Sequence, residues 1–308
     1  MRLPDLRKFL ALKAWQREPE ETALWPDSEV EPEAHAAPAP RPKRLPELPW
    51  SAPRIELLDQ LWGEGCLWPG GTDEVLRVAV PFGLSAASSL LLLGAGSAGP
   101  TLRLAGELGV WVTACESDPV LVALAAKRVQ RAGVALAKRA TVHGFDPSLP
   151  AFRPHAFHHA LSVEALRGNR PEDIVAELCG AVRPGGQVAI VETMAPAPLD
   201  LSDPAVAAWC RLEQRAPPPP GTAWVTETLA AHGFEIRVNE DVTARHVRLA
   251  VSGWKHLLRA MKQDRPPPRR AAAMVAEAEY WLRRIHLLRG GQLRVMRWLA
   301  IGRAPPAV

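Results

Sequence analysis

Cysteine is scarce and never closely spaced. Cys66, Cys115, Cys179 and Cys210 stand far apart with no CxxC pair. That excludes both a zinc-type spacing and a dense disulfide framework, and it points to a reducing compartment. Tyrosine occurs once, against 11 tryptophans. No run of 18 apolar residues is present, so no membrane-spanning helix is expected. The opening MRLPDLRKFLALKAWQREPEE lacks an uninterrupted apolar core and a small-residue cleavage site, so it does not read as a secretory signal. The expected compartment is the cytoplasm.

What is present is ordinary for a globular chain. Apolar residues make up 47% of 308 and charged residues 23%, which excludes full disorder and a collagen-like repeat. Proline is abundant, at 31 residues, and clustered. Residues 26–49 are rich in Pro, Ala and Glu and read as a linker. Residues 3–17 carry Leu3, Leu6, Phe9 and Leu10 at helical spacing, flanked by Arg7, Lys8, Lys13 and Arg17. They predict a short basic helix, too short to persist alone in water, that docks on its own cap, a second subunit, another protein or a membrane surface. The division expected is an arm and linker over 1–49 and a globular domain over 50–308. Net charge is 37 − 33 = +4. Residues 242–303 hold 14 Arg or Lys against 3 Asp or Glu, a local excess of 14 − 3 = +11. Such a stretch suits an anionic partner or a solvated helix face.

From Trp50 onward, helical and strand patterns alternate. Helices are expected over 53–62, 73–80, 101–108, 119–132 and 171–181. Strands are expected at Ser89–Leu93, Trp111–Cys115, Ala140–His143, Phe157–Leu161 and Gln187–Val191. Alternation of this kind predicts an α/β fold with a parallel sheet covered on both faces. Two helical pieces are expected on either side of Pro217–Pro220, then a strand at Phe234–Val238, helices around 246–261 and 271–288, and a last strand over Leu293–Ile301. Residues 201–230 and 242–290 are the natural material for a helical cap.

The strand Leu90–Leu93 runs into Gly94-Ala95-Gly96-Ser-Ala-Gly99, a GxGxxG turn opening a helix. Glycines there let a ligand approach the backbone, and the helix start favours negative charge. Glu116 closes the next strand, 20 residues after Gly96, where a carboxylate can accept both ribose hydroxyls of a nucleoside. An adenosine-containing cofactor is implied. Both NAD(P) and S-adenosylmethionine fit this much.

Two further features choose between them. Gly144-Phe145-Asp146 follows the third strand, and Arg183-Pro184-Gly185-Gly186 precedes the fifth. This order resembles the class I S-adenosylmethionine-dependent methyltransferases over residues 55–303. The resemblance implies a Rossmann-like seven-stranded methyltransferase sheet with a helical cap and S-adenosylmethionine as cofactor. It assigns Gly94, Ala95, Gly96 and Gly99 to the methionine end of the cofactor, Glu116 with Ser117 to the ribose, and Asp146 to the adenine. Leu61–Gly71, Asp241-Val-Thr with Trp254, and Val295–Ile301 are similar to segments of phosphoethanolamine methyltransferases, whose plan sterol and cyclopropane-type enzymes share. That narrower likeness implies a small-molecule or lipid-type acceptor, with Glu164 facing it.

The chain departs from that family at four places. Cys66 stands where a dyad tyrosine is usual, Gly168 where its histidine is usual, Leu92 where an acid meets the cofactor ammonium, and His158 where strand four often has an acid. Leucine accepts no hydrogen bond. These departures leave a second expectation, a catalytically impaired member serving as a binding or regulatory subunit. Nucleic acid is the less expected substrate, since no Asn-Pro-Pro-Tyr-like tetrad follows strand four. His155, His158 and His159 read as packing residues rather than a metal site. Trp68, Trp224, Trp254 and Trp281 are candidates for a substrate wall.

Overall fold

A computed structural model describes residues 50–166, 170–213, 218, 220–261 and 267–303. The expected arm and linker, Gly168 and most of the Pro217–Pro220 run lie outside the described residues.

Seven strands form one sheet in the order β3-β2-β1-β4-β5-β7-β6. They are β1 Ser89–Leu93, β2 Trp111–Glu116, β3 Ala140–Gly144, β4 Phe157–Val163, β5 Val182–Met194, β6 Phe234–Asp241 and β7 Arg294–Gly302. The central strand β1 is a run of four leucines with all four buried, as a strand covered on both faces requires. β6 alternates between packed and exposed residues, Phe234, Ile236 and Val238 facing in, as an edge strand with one covered face does. One expectation needs correction: the sheet is mixed, not parallel. β7 runs antiparallel to both β5 and β6. The chain passes from β5 to β6 leaving one strand position empty, and β7 returns into it. Pairing with β7 also carries β5 past its apolar run to Met194.

Ten helices are described: α1 Ala52–Trp62, α2 Gly71–Ala79, α3 Gly99–Leu108, α4 Pro119–Arg131, α5 Val134–Arg139, α6 Pro171–Ala181, α7 Pro204–Glu213, α8 Ala223–Ala231, α9 Thr243–Ala260 and α10 Pro268–Arg289. α5 is not foreseen by periodicity because it is a six-residue turn with no buried residue. α8 departs from the cap expectation. Its Val225 and Leu229 join Ile174, Val175 and Leu178 of α6 in the core beneath β4, β5 and β7, so it covers the sheet. The cap consists of α7, α9 and α10; α7 and α9 pack on α10, and α9 and α10 pack on α1. It stands over the C-terminal ends of the parallel strands, where ligands bind in open α/β sheets.

Candidate functional site

The C-terminal ends of β1, β2 and β4 and the cap enclose a cavity of about 530 Å³, a size suited to a small ligand. Gly94, Ala95, Gly96, Glu116, Ser117 and Glu164 all line it. Two other sequence-assigned residues do not. Gly99 starts α3 beneath the backbone of Glu64 and Gly65. Asp146 is exposed and accepts a hydrogen bond from the Ser148 N–H at 2.8 Å, while its neighbours Phe145 and Pro147 reach the wall.

The glycine turn is shaped by close approach. Gly94 has φ +77°, and a Cβ there would meet the Val163 carbonyl oxygen at 2.0 Å. Most of the turn's backbone donors are spent within the protein. Gly94 and Ala95 N–H donate to the Cys115 carbonyl, Ala98 N–H to Ala95, Gly99 N–H to Gly65 and Gly96 N–H to Glu116 Oε2 at 2.9 Å. A dinucleotide pyrophosphate needs those donors at the helix start. With the Gly96 and Gly99 N–H groups capped by Glu116 and Gly65, this turn presents few donors to a pyrophosphate.

Glu116 also accepts from the N–H groups of Ser117 at 2.8 Å and Asp118 at 3.3 Å. Its carboxylate is buried and fixed in orientation at the cavity wall. Asp118 caps α4 by accepting from Val120 and Leu121 N–H.

Residues 63–70 form a flap over the glycine turn. The Leu67 side chain rests 3.0 Å from where a Gly96 Cβ would stand. A polar latch fixes the flap. Asp59 of α1 accepts from the Gly65 N–H at 2.8 Å and from Arg128 of α4 at 2.5 Å, and Arg128 also donates to Ser97 Oγ at 2.6 Å. Cys66 in this flap lines the cavity, and burial pushes its thiol up to about 12, so it stays protonated and non-nucleophilic near neutral pH. Leu92 lines the same wall and is fully buried.

The cap side of the cavity carries more charge than the sequence suggested. Glu164 sits just past β4 with φ +52°, a left-handed conformation costing about 1–3 kcal/mol unless its surroundings fix it. Its N–H donates to the Val191 carbonyl, and its Oε1 accepts from Thr193 Oγ1 at 2.6 Å and Arg284 Nη2 at 2.7 Å. Arg284, buried in α10, also donates to the Tyr280 hydroxyl at 2.8 Å, and that hydroxyl donates to Glu213 of α7 at 2.5 Å. Burial raises the Tyr280 pKa well above that of an ordinary phenol, so the hydroxyl stays neutral. Beside this chain, Glu277 accepts from Arg54 Nε at 2.8 Å and Trp281 Nε1 at 3.1 Å.

Sequence reading missed Arg284, Tyr280, Glu213 and Glu277. A signal existed: Glu277, Tyr280, Trp281 and Arg284 fall at i, i+3, i+4 and i+7, one helix face. Polar residues on a face buried by the cap mark a lined cavity. Of the four tryptophans proposed as wall residues, Trp68 and Trp281 line the cavity. Trp224 packs against the core under the sheet, and Trp254 is buried within α9.

The histidines separate. His158 accepts from the Ser89 N–H and contacts Arg183, while His159 stacks on Phe82 at 5.0 Å. His246 lies between Trp68 and Trp281, 5.9 Å from each ring, with neither nitrogen hydrogen-bonded.

Comparison with known proteins fits this arrangement. A methyltransferase domain family matches residues 91–190, from within β1 to within β5. The fold is that of the class I methyltransferases. A phosphoethanolamine N-methyltransferase from Haemonchus contortus, solved with phosphomonomethylethanolamine and S-adenosylhomocysteine, superposes at TM-score 0.69 and 18% identity. The match covers 82% of this chain and 57% of that one, so this chain spans under two thirds of that protein's length. A geranyl diphosphate C-methyltransferase from Streptomyces coelicolor A3(2) matches at TM-score 0.55 and 12% identity, over 74% of this chain and 79% of its own. The same methyltransferase fold also appears in the 4+2 cyclase SpnF, at TM-score 0.60 and 19% identity, over 82% and 94% of the two chains. No curated protein matches this chain in sequence.

Proposed function

We propose that this chain is an S-adenosylmethionine-dependent methyltransferase acting on a small molecule or lipid-type head group. One observation carries the reading: the glycine turn and a fixed strand-two carboxylate share one cavity with a charged and aromatic cap wall. The bound cofactor supplies a methyl group made electrophilic by its sulfonium. Gly94, Ala95 and Gly96 offer it close backbone approach, and Glu116 offers carboxylate lone pairs to its ribose hydroxyls. Asp118 and Phe145 line the same side as Glu116, and this side takes the adenine. Asp146, assigned there by resemblance, would have to turn from the Ser148 N–H to take part. Glu164 and the cap residues orient the acceptor. The flap and α10 exclude water, so that alignment and desolvation supply the rate.

A second reading has its own support. Leu92 puts no acceptor opposite the cofactor ammonium, which costs about 1–3 kcal/mol, or about 5- to 150-fold in affinity. Cys66 is a protonated thiol in place of a phenol. A binding or regulatory protein with weakened cofactor affinity would carry these features. Calorimetry separates the readings. Saturable binding of both S-adenosylmethionine and S-adenosylhomocysteine to the full chain is the result expected of an enzyme. Absence of binding by either at millimolar concentration removes the methyltransferase reading.

A further inference from the structure

α9 contains no Asp or Glu. Val247, Ala250, Val251, Trp254 and Leu257 form its buried face, and the helix packs on α1, α10 and β7. The crossing with α1 is close, since a Cβ on Gly253 would stand 2.4 Å from the Trp62 ring. That packing fixes the rotation of the helix and holds its opposite face outward. Arg248, Lys255 and Arg259 are exposed on that face. They fall at i, i+7 and i+11, within about 40° of one another around the helix and over about 17 Å along it. Arg245, at the edge of the row, is taken by Glu74 at 2.6 and 2.9 Å. Among the described residues, no ion pair or side-chain hydrogen bond reaches Arg248, Lys255 or Arg259. Residues 262–266, outside the described residues, follow with Lys262 and Arg265 against Asp264.

The surroundings of the row narrow its partner. No α9 residue lines the cavity described above or the groove bounded by α1, α3 and α4. The cations therefore stand on a convex helix surface, not in a pocket. Trp254, the one tryptophan of α9, is buried, so no indole platform is offered to stacking bases. The cations are unequally spaced, about 10 Å and then about 6 Å along the axis. Such a row suits anions that move sideways to meet each charge, as lipid head groups do, better than a polymer with a fixed phosphate repeat. Lys255 and Arg259 are one turn apart and repel each other; anionic head groups relieve that repulsion.

We propose that the outer face of α9 docks on an anionic lipid surface through Arg248, Lys255 and Arg259. The docking is electrostatic, because the apolar face of α9 is already packed within the protein. Each cation raises the partition onto such a surface about fivefold, and three raise it about a hundredfold. The docking requires neither the cofactor nor the reaction proposed above.

Co-sedimentation of the full chain with vesicles at millimolar lipid tests this. The probes are phosphatidylcholine alone and phosphatidylcholine mixed with phosphatidylserine. Binding is expected to the mixed vesicles only, and to weaken as salt rises from about 50 to about 300 mM. Arg248→Gln, Lys255→Gln and Arg259→Gln are each expected to weaken it about fivefold, and the triple variant to abolish it. Lys127→Gln with Arg131→Gln, which removes two exposed cations from α4, is expected to leave binding unchanged. Thermal melting confirms that each variant folds, and the single variants carry the test if the triple variant does not. Equal binding to both vesicles, binding that the α9 variants retain, or an equal loss in the α4 variant overturns the proposal. So does a chain that binds neither vesicle, including one whose α9 face holds polyuridylate RNA instead.

Discussion

At the scale of single residues, Glu116 has two jobs that one substitution separates. It orients the glycine turn through the Gly96 N–H and stands at the wall where a ribose is expected. Glu116→Ala removes charge-assisted hydrogen bonds worth about 1.5–3 kcal/mol each. It is expected to lower the melting temperature of the ligand-free protein and to weaken S-adenosylmethionine binding at least tenfold. A variant that binds like the parent would show that strand two does not carry the ribose. His246 makes a different prediction. Burial, then the nearby Arg284 charge, lowers its pKa from 6.5 to about 3, against the opposing pull of Glu164 and Glu74. The unfolded chain takes up a proton below pH 6.5 and the folded protein does not until about pH 3, so stability falls as pH drops through that window. The loss is about 1.4 kcal/mol per pH unit. His246→Phe keeps an aromatic ring between Trp68 and Trp281 and removes two unpaired nitrogens. Chemical unfolding at about pH 5 and about pH 7.5 is expected to show the variant's stability differing less between the two, by about 2 kcal/mol. An unchanged pH dependence would mean that His246 titrates normally.

At the scale of elements, what the sequence made legible follows from local pattern. The strands were readable because Leu90–Leu93 and Val188–Val191 are apolar runs bounded by turn residues. The glycine turn was readable because its spacing is contiguous. The cap wall was not. Glu164 and Arg284 are 120 residues apart, and Asp59 and Arg128 are 69 apart. Only tertiary packing pairs them. α8 was misplaced for a related reason: a short apolar helix looks the same whether it covers a sheet or a cavity, and Val225 and Leu229 settle it only by what they touch. The flap latch can be tested at this scale. Arg128→Met keeps most of the side-chain volume but removes the contacts to Asp59 and Ser97, a loss of about 1.5–3 kcal/mol. Hydrogen exchange is expected to accelerate at residues 63–70 and in the glycine turn, with β4 and β5 unaffected. Uniform acceleration would instead mean that Arg128 supports the whole core.

At the scale of the whole molecule, the chain divides by contact density into 1–47 and 48–308. The second unit contains every described strand, the core beneath β4, β5 and β7, and the described residues of the cavity wall. Its apolar core, including Trp209 and Trp298 with no measurable exposure, is sufficient for an independently stable domain of this length. A truncated protein starting at residue 48 is therefore expected to unfold in one cooperative transition, within a few degrees of the full chain, and to bind S-adenosylhomocysteine with the same affinity. The apolar stripe of Leu3, Leu6, Phe9 and Leu10 between basic residues predicts a docking role for the arm. Removing it is expected to change association, read by sedimentation, rather than melting or affinity. A truncation that melts far below the full chain would place residues 1–47 in the fold itself. One that changes neither association nor binding would reduce the arm to a tail.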